Sequence, residues 1–296
     1  LVETSEGHAL GVSADRAVAL IPDFGQGLLD LNVQGSGSGA SLLEFARKSP
    51  IASHVSDTLA KLNLGGRGTF GFHLSLPLAR IEDAQLDGTA QLHDASLTAA
   101  DWKLDLEKLN GLLSFDLHGL QASSLDTVFH GQPSHLQLAI AGANHDPAAL
   151  VSANIQGNYQ IAELVQDYPS LNWLGALAQG RSEFDIGFIL AHQPGSDALA
   201  QTLNVDSSLD GIALQLPAPL GKSSAGNLPL HLTMSLPIDG SDVQLSLGQV
   251  LRGHLRLANG AGQPLAGTLA LWPRMFDGEF ARALAAGERL LHLAAA

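Results

Sequence analysis

The 296-residue sequence contains no cysteine. That removes disulfides, thiol chemistry and zinc-thiolate sites together. It does not fix the redox compartment, because a chain this long can build a core without disulfides. Charged residues are scarce at 15%, against the usual quarter, and aromatic residues make up only 5%. Basic residues are the scarcest of the charges: 15 against 29 acidic ones, for a formal net charge of −14. A nucleic-acid binder needs Lys and Arg to replace phosphate counterions, so the chain is a poor candidate for that class. It is a poor candidate for electrostatic adhesion to anionic headgroups on the same ground, so any contact with lipid would go through apolar surface. No apolar run reaches the ~18 residues of a transmembrane helix. The sequence starts with neither an initiator methionine nor a signal peptide, and Leu1 reads as a cut inside a longer polypeptide.

Aliphatic surface is what the chain has in quantity. Hydrophobic residues make up 45%, and leucine is about one residue in five or six, far above ordinary usage. Their spacing has period two. Leu104 and Leu106 alternate with charged residues, and Leu113, Phe115 and Leu117 with Ser114, Asp116 and His118. Leu136, Leu138 and Ile140 repeat the pattern, then Phe184, Ile186, Phe188 and Leu190. Ile212, Leu214 and Leu216 follow, then Leu230, Leu232, Met234 and Leu236, then Val243, Leu245 and Leu247. Alternation places each set on one face of a strand. A strand with one apolar and one wet face belongs to an antiparallel sheet. Asp87-Gly88, Asn110-Gly111, Asp210-Gly211, Asp239-Gly240 and Asn259-Gly260 read as tight turns between such strands.

Helices interrupt the pattern at a few places. Ser41 and Glu44 form a capping box for a helix with Leu42, Phe45 and Ala46 on one face, closing at Arg47 and Lys48 before Pro50. A second helix is predicted from about Ile51 to Leu62, with Val55 and Leu59 in register, ending at Gly65-Gly66. A third spans about Ile161 to Ala178, broken at Pro169 and restarted by Ser170, and a fourth covers Phe280 to Ala286. The stretch from His73 to Leu78 resembles that from Thr233 to Ile238, as an internal repeat or as a shared way of ending strands. The expected organisation is a β segment over 1–40 continuing from upstream chain, a helix-plus-meander unit over 41–156 and a second over 157–296.

Catalytic motifs are missing or out of context. The G-x-G-x-x-G of Gly66 to Gly71 runs into an alternating strand, not a helix, so it cannot cradle a pyrophosphate. Gly221-Lys222-Ser223 lacks the upstream glycine of a phosphate loop, since Leu216 stands there. Gly35-Ser36-Gly37-Ser38-Gly39 reads as a flexible connector. The 12 histidines are scattered singly, without metal-ligand spacing. His145-Asp146 is the best local acid–base pair, and Asp105, Glu107 and Asp116 read as solvated strand carboxylates. No catalytic residue, metal or cofactor is expected.

What remains is the apolar face. Two sheets would bury it as a sandwich, giving a non-catalytic scaffold or interaction module. A single curved sheet would leave an aliphatic trough that needs an apolar occupant. The stretches Leu92–Leu97, Asp101–Leu106 and Leu109–Leu120, and especially Leu209–Lys222 with its L-x-L-P-x-P-L-x-K pattern over Leu214–Lys222, resemble the central region of the YhdP family, large AsmA-like proteins of Gram-negative bacteria. The resemblance covers the chain up to about residue 260, and Asp210 replaces a family glycine. It implies a mainly β fold: an extended, twisted antiparallel sheet curled into an apolar groove, with a few short helices. It also implies the periplasmic portion of an inner-membrane-anchored parent chain, carrying phospholipid or another acyl-chain lipid toward the outer membrane. The strand positions named above from Leu104 to Leu247, Val243 apart, would then line the groove, and the family has no catalytic residues to carry over.

Overall fold

The computed structural model describes residues 2–271 except 5–6, 10, 22–26, 50–51, 145–147, 169–170, 194, 197, 217–219, 238–240 and 257–265. The chain opens with β1 (Val2–Thr4), β2 (Gly7–Ala9), β3 (Val12–Leu20) and β4 (Leu28–Ser38). Helices α1 (Gly39–Arg47) and α2 (Ala52–Lys61) precede the long strand β5 (Asn63–Pro77). A meander follows: β6 (Gln85–Ala99), β7 (Leu104–Asp116), β8 (Gly119–Phe129), β9 (Gln132–Ala141) and β10 (Ala149–Tyr159). Then come α3 (Ile161–Val165), α4 (Asn172–Leu177), β11 (Ala178–Gly180), β12 (Ser182–His192), β13 (Leu199–Ser207) and β14 (Ile212–Leu214). The last described elements are β15 (Leu230–Ser235), β16 (Asp242–Leu247), β17 (Leu251–Arg256) and β18 (Ala266–Leu271).

The fold is mainly β, with a few short helices. Among the described residues, sixteen strands form one sheet that does not close, and its order follows the sequence from β1 to β18, with β2 also on β3 and with β11 and β14 paired apart. The pairings of β3 through β9 and of β13 through β18 are all antiparallel. Contacts divide the chain into two compact units, Leu1–Gln156 with Phe188–Ala200, and Gly157–Gly187 with Gln201–Ala296.

In the first unit, register aligns apolar residues in rows across the strands. One row runs Ala17, Val33, Phe72, Gly88, Phe115, Leu120, Ile140. A neighbouring row runs Ala19, Leu31, Leu74, Leu86. Residues directly opposite one another share a face, so the period-two pattern of each strand adds up to one apolar face.

Strict alternation fails at a line of bulges. Register shifts occur between Gly65 and Arg67 on β5, Leu92 and Ala95 on β6, Glu107 and Asn110 on β7, and Ala122 and Leu125 on β8. Gly66, Asp94 and Lys108 have positive φ there (80°, 45° and 51°). Each extra residue resets the phase. Leu106 and Leu109, an odd number of positions apart, therefore bury in one cluster with Leu92, Ala95, Ala122, Leu125 and Leu136. Asn110 stitches two of the bulges: its Oδ1 accepts from the Asp94 N–H at 2.9 Å, and its Nδ2 donates to Lys108 O at 2.8 Å and to Asp94 Oδ1 at 3.1 Å.

Two expected turns are thus strand interiors. Asn110-Gly111 lies within β7, where the asparagine serves the bulges. Asp87-Gly88 lies within β6, and a Cβ on Gly88 would meet the Phe115 ring at 2.3 Å, so the glycine makes room for a ring rather than a bend. Asp210-Gly211 is a turn, with Gly211 at φ +89°. Asp239-Gly240 and Asn259-Gly260 lie outside the described residues, as do Pro169, Ser170, His145-Asp146 and the Phe280–Ala286 segment.

The Gly35–Gly39 stretch is the end of β4 and the start of α1, not a connector. The helix begins earlier than the capping box suggested. Ser38 is the N-cap, its Oγ accepting from the Ser41 N–H at 3.2 Å, and Ser41 sits one turn in. Arg47 donates to the last carbonyls of α2, Leu59 O at 3.0 Å and Leu62 O at 2.8 Å. That satisfies acceptors a helix end leaves open and ties the two helices together.

In the second unit, α3 carries a capping box of Gln160 and Glu163, and Glu163 also pairs with Arg181. Tyr159, Phe184, Leu209 and Ile212 are almost fully buried, and the rings of Tyr159 and Phe184 lie 6.4 Å apart. Met234 and Val243 form a second cluster, against which Leu171, Leu203 and Leu232 pack. The Lys222 ammonium donates to Leu209 O at 2.8 Å, Ile212 O at 2.5 Å and Ser223 O at 3.1 Å, gathering three backbone carbonyls around one cation. Desolvation holds its pKa below the usual lysine value, opposed by the charge of Asp210.

The apolar sheet face as candidate functional site

Of the positions that alternation put forward, Leu106, Leu113, Leu136, Ile140, Phe184, Leu190, Ile212, Met234 and Leu247 are buried. Leu104, Phe115, Leu117, Leu138, Ile186, Phe188, Leu214, Leu216, Leu230, Leu232, Leu236 and Leu245 are half-buried. They do not form one set. Leu106, Leu113 and Leu136 belong to the bulge cluster, with Leu104 and Leu138 packed against it. Ile140 and Leu190 join Leu43, Val55, Leu59 and Val151 in a second cluster, flanked by Phe115 and Phe188. Ile212 and Leu214 lie in β14, which pairs with β11 and not with the large sheet. Leu216 follows that strand, Leu117 lies in the turn after β7, and Leu236 lies just past β15. In the second unit Leu232 faces Leu245, and Leu230 faces Leu247, across β15 and β16.

The first unit's apolar face has two regimes. Around the bulges and under α1 and α2 it is sealed: Leu106 is 1% exposed, Leu125 1% and Leu59 4%. Toward the other ends of β4 and β5 no leucine is buried. Leu29, Leu31, Leu74, Leu76 and Leu86 are all half-buried, and Leu20, Leu78 and Ile81 nearby in the chain are exposed at 40%, 52% and 67%. Contiguous apolar surface of this kind marks an interaction site more often than scattered single residues do.

Phe45 of α1 and Phe70 and Phe72 of β5 stand between the regimes, their ring centroids 6.3–6.4 Å apart. The sheet in this unit coils. Trp102, beside β7, reaches Phe188 of β12 at 5.1 Å, although three intervening strands would hold β7 and β12 roughly 19 Å apart in a flat sheet. Sequence reading missed the open leucines of β4, β5 and β6 as lining, although the spacing of Leu74 and Leu76 carried the signal. It missed the aromatic cluster because Phe45 and Phe72 lie 27 positions apart.

The wet face holds polar pairs that single-sequence spacing did not reveal. Asp126 pairs with His135 (2.9 Å), Asp206 with His231 (2.5 Å) and Asp30 with His73 (2.8 Å), each across neighbouring strands. Exposed pairs of this kind contribute little stability. Thr233 Oγ lies 3.4 Å from His231 Nε2, which completes an Asp–His–Thr line, but its hydroxyl donates to Asn204 Oδ1 at 2.9 Å. A hydroxyl whose proton points away from the base is not an activated nucleophile. The line borders an open depression of about 390 Å³ whose lining includes Gln244, Ser246, Arg252 and His254. Asp105 and Glu107 are exposed, while Asp116 accepts the backbone N–H groups of His118 and Gly119 at 2.6 and 2.7 Å as a turn former. Among the described residues, no three or more His, Asp and Glu side chains cluster to hold a metal ion, and no helix is long and apolar enough to cross a membrane.

The first unit thus presents an open antiparallel sheet with a mostly aliphatic face. The profile of the YhdP family, described as YhdP protein, matches residues 2–270, and the chain belongs to that family. Membership points to a role in lipid transport or in the cell envelope, and the family is not known as one of enzymes. No curated protein and no solved structure matches the chain.

Proposed function

We propose that this chain is a segment of a lipid conduit in which phospholipid acyl chains lie against the aliphatic sheet face while headgroups stay in water. It serves as the periplasmic portion of a protein anchored in the inner membrane, and it passes lipid between that membrane and the outer one. The observation that carries this reading is the half-buried leucine surface of β4, β5 and β6. Each buried methylene gains about 0.8 kcal/mol, so an acyl chain binds such a surface without any polar anchor. A row of near-identical leucines offers steps of similar energy, which suits sliding more than tight capture at one site. The chain should be purified without detergent and its organic extract analysed by mass spectrometry. Phospholipid in stoichiometric amount is expected; its absence, with no uptake from phosphatidylethanolamine vesicles, would overturn the proposal.

A further inference from the structure

We infer that α1 and α2 form a displaceable wedge that interrupts the acyl path along the first unit's sheet face. This rests on the conduit reading and assigns its regulation. The apolar row through Val33, Phe72, Gly88, Phe115, Leu120 and Ile140 runs beside the row of open leucines and ends under α2. There Leu43, Val55 and Leu59 bury against Ile140, Val151 and Leu190. The helices thus occupy the space an acyl chain would need next.

The sheet does not depend on the wedge. It is inserted between β4 and β5, whose pairing runs unbroken from Leu28–Pro77 to Ser38–Arg67 without any helical residue. The first root is glycine-rich, with Gly37 and Gly39, and at the second Leu62 passes directly into β5, which pairs with β6 from Asn63 on. A Cβ on Gly39 would stand 2.4 Å from Gly65 O, so the two roots touch. Glycine supplies the freedom a hinge needs. Arg47, bound to Leu59 O and Leu62 O, makes the two helices one body.

The C-terminal end of α2, two residues before β5, is latched to the β6–β7 turn. Lys61 Nζ lies 3.2 Å from Asp101 Oδ2 and 6.0 Å from the Trp102 ring centre, and Trp102 packs on Phe188. Lys61 and Asp101 are 40% and 59% exposed. An exposed pair holds weakly and is screened by salt, which suits a latch rather than a permanent lock.

The absence of cysteine makes the test direct. K61C/D101C, introduced together, would be joined by a short bis-maleimide in the full chain. Phosphatidylethanolamine vesicles carrying a diazirine in the acyl chain would be added and irradiated, and adducts mapped by peptide mass spectrometry. With the link closed, label is expected at Leu74–Leu76 and reduced at least tenfold at Leu136–Ile140 relative to the unlinked double variant. Lys61→Glu, which sets like charges at the latch, should raise label at Leu136–Ile140 over the unaltered chain. Equal label there with and without the link, or no rise in Lys61→Glu, overturns the wedge and leaves the conduit reading standing. No label at Leu74–Leu76 in any variant overturns both.

Discussion

A carboxylate placed on the sheet face separates an open acyl surface from an ordinary core. Leu106→Asp and Leu74→Asp make the same chemical change at two depths. Leu106 is 1% exposed, enclosed by Leu92, Leu109 and Leu113. Losing a fully buried leucine costs about 1.5–3 kcal/mol, and burying a polar group without a partner adds about 1–3 kcal/mol. The sum, about 2.5–6 kcal/mol, takes a large share of the ~5–15 kcal/mol that holds a domain folded. Leu74 is only half-buried and faces Leu31 and Leu86. Water reaches a carboxylate there, so the expected cost is about 1 kcal/mol, mostly lost aliphatic contact. For an acyl chain, however, the same carboxylate is a polar step that breaks a continuous apolar path. Urea denaturation followed by far-UV circular dichroism would measure the first quantity, and transfer of a fluorescent-acyl phospholipid from vesicles to the chain the second. Leu106→Asp should lose its cooperative transition or shift it strongly. Leu74→Asp should stay folded and lose lipid uptake at least tenfold, with Leu74→Ala in between. Unimpaired uptake by folded Leu74→Asp would refute the reasoning, as would equal destabilisation at both sites.

Three further outcomes follow from the geometry. Asn110→Ala removes the side chain that joins the Asp94 and Lys108 bulges and should cost about 1–3 kcal/mol, read as a lower urea midpoint. Gly66→Ala sets a Cβ 2.6 Å from the Ala95 Cα at φ +80°, whereas Gly131→Ala at φ +75° meets nothing within 4 Å; both share a strain of about 1–2 kcal/mol, so a clearly larger loss of thermal stability in Gly66→Ala measures the clash. Lys222→Met strips the donor from the carbonyls of Leu209 and Ile212 and should lower stability by about 1–3 kcal/mol; faster limited proteolysis within Leu209–Lys222 would register it, and an unchanged rate would contradict the cradle.

The strands were legible because alternation is a local signal. Phe184 to Leu190 and Leu230 to Met234 show it without interruption, and both runs are strands. The first two helices were legible from the register of Val55 and Leu59 and from Arg47 near a closing turn, although the N-cap was misplaced because Ser38 and Ser41 are equally good caps by type. The bulges were not legible. Nothing in the identity of Asp94 or Lys108 announces a positive φ, and the phase change at Lys108 makes two halves of one strand look like two strands joined by Asn110-Gly111. The candidate face suffered in the same way. Ile212 and Leu214 alternate like the others, but which strand they pair with is set by long-range register, and β11 took them out of the large sheet. Covering elements were the hardest to foresee, since nothing local says that Leu43 and Leu59 pack on Ile140 and Val151.

The sheet's neighbour order has a consequence for synthesis. From β3 to β10 every strand bonds to the strand made just before it. Long-range closure of the chain is not needed before pairing begins, which lowers the entropic barrier that slows most β proteins. A growing chain can therefore add each hairpin to the edge already formed, and the sheet lengthens in the order of translation. The same scheme leaves a bare edge of unpaired N–H and C=O groups at every intermediate length. Such an edge accepts any extended peptide, including a second nascent copy. A chain built this way depends on being kept from its neighbours until its last strand is in place.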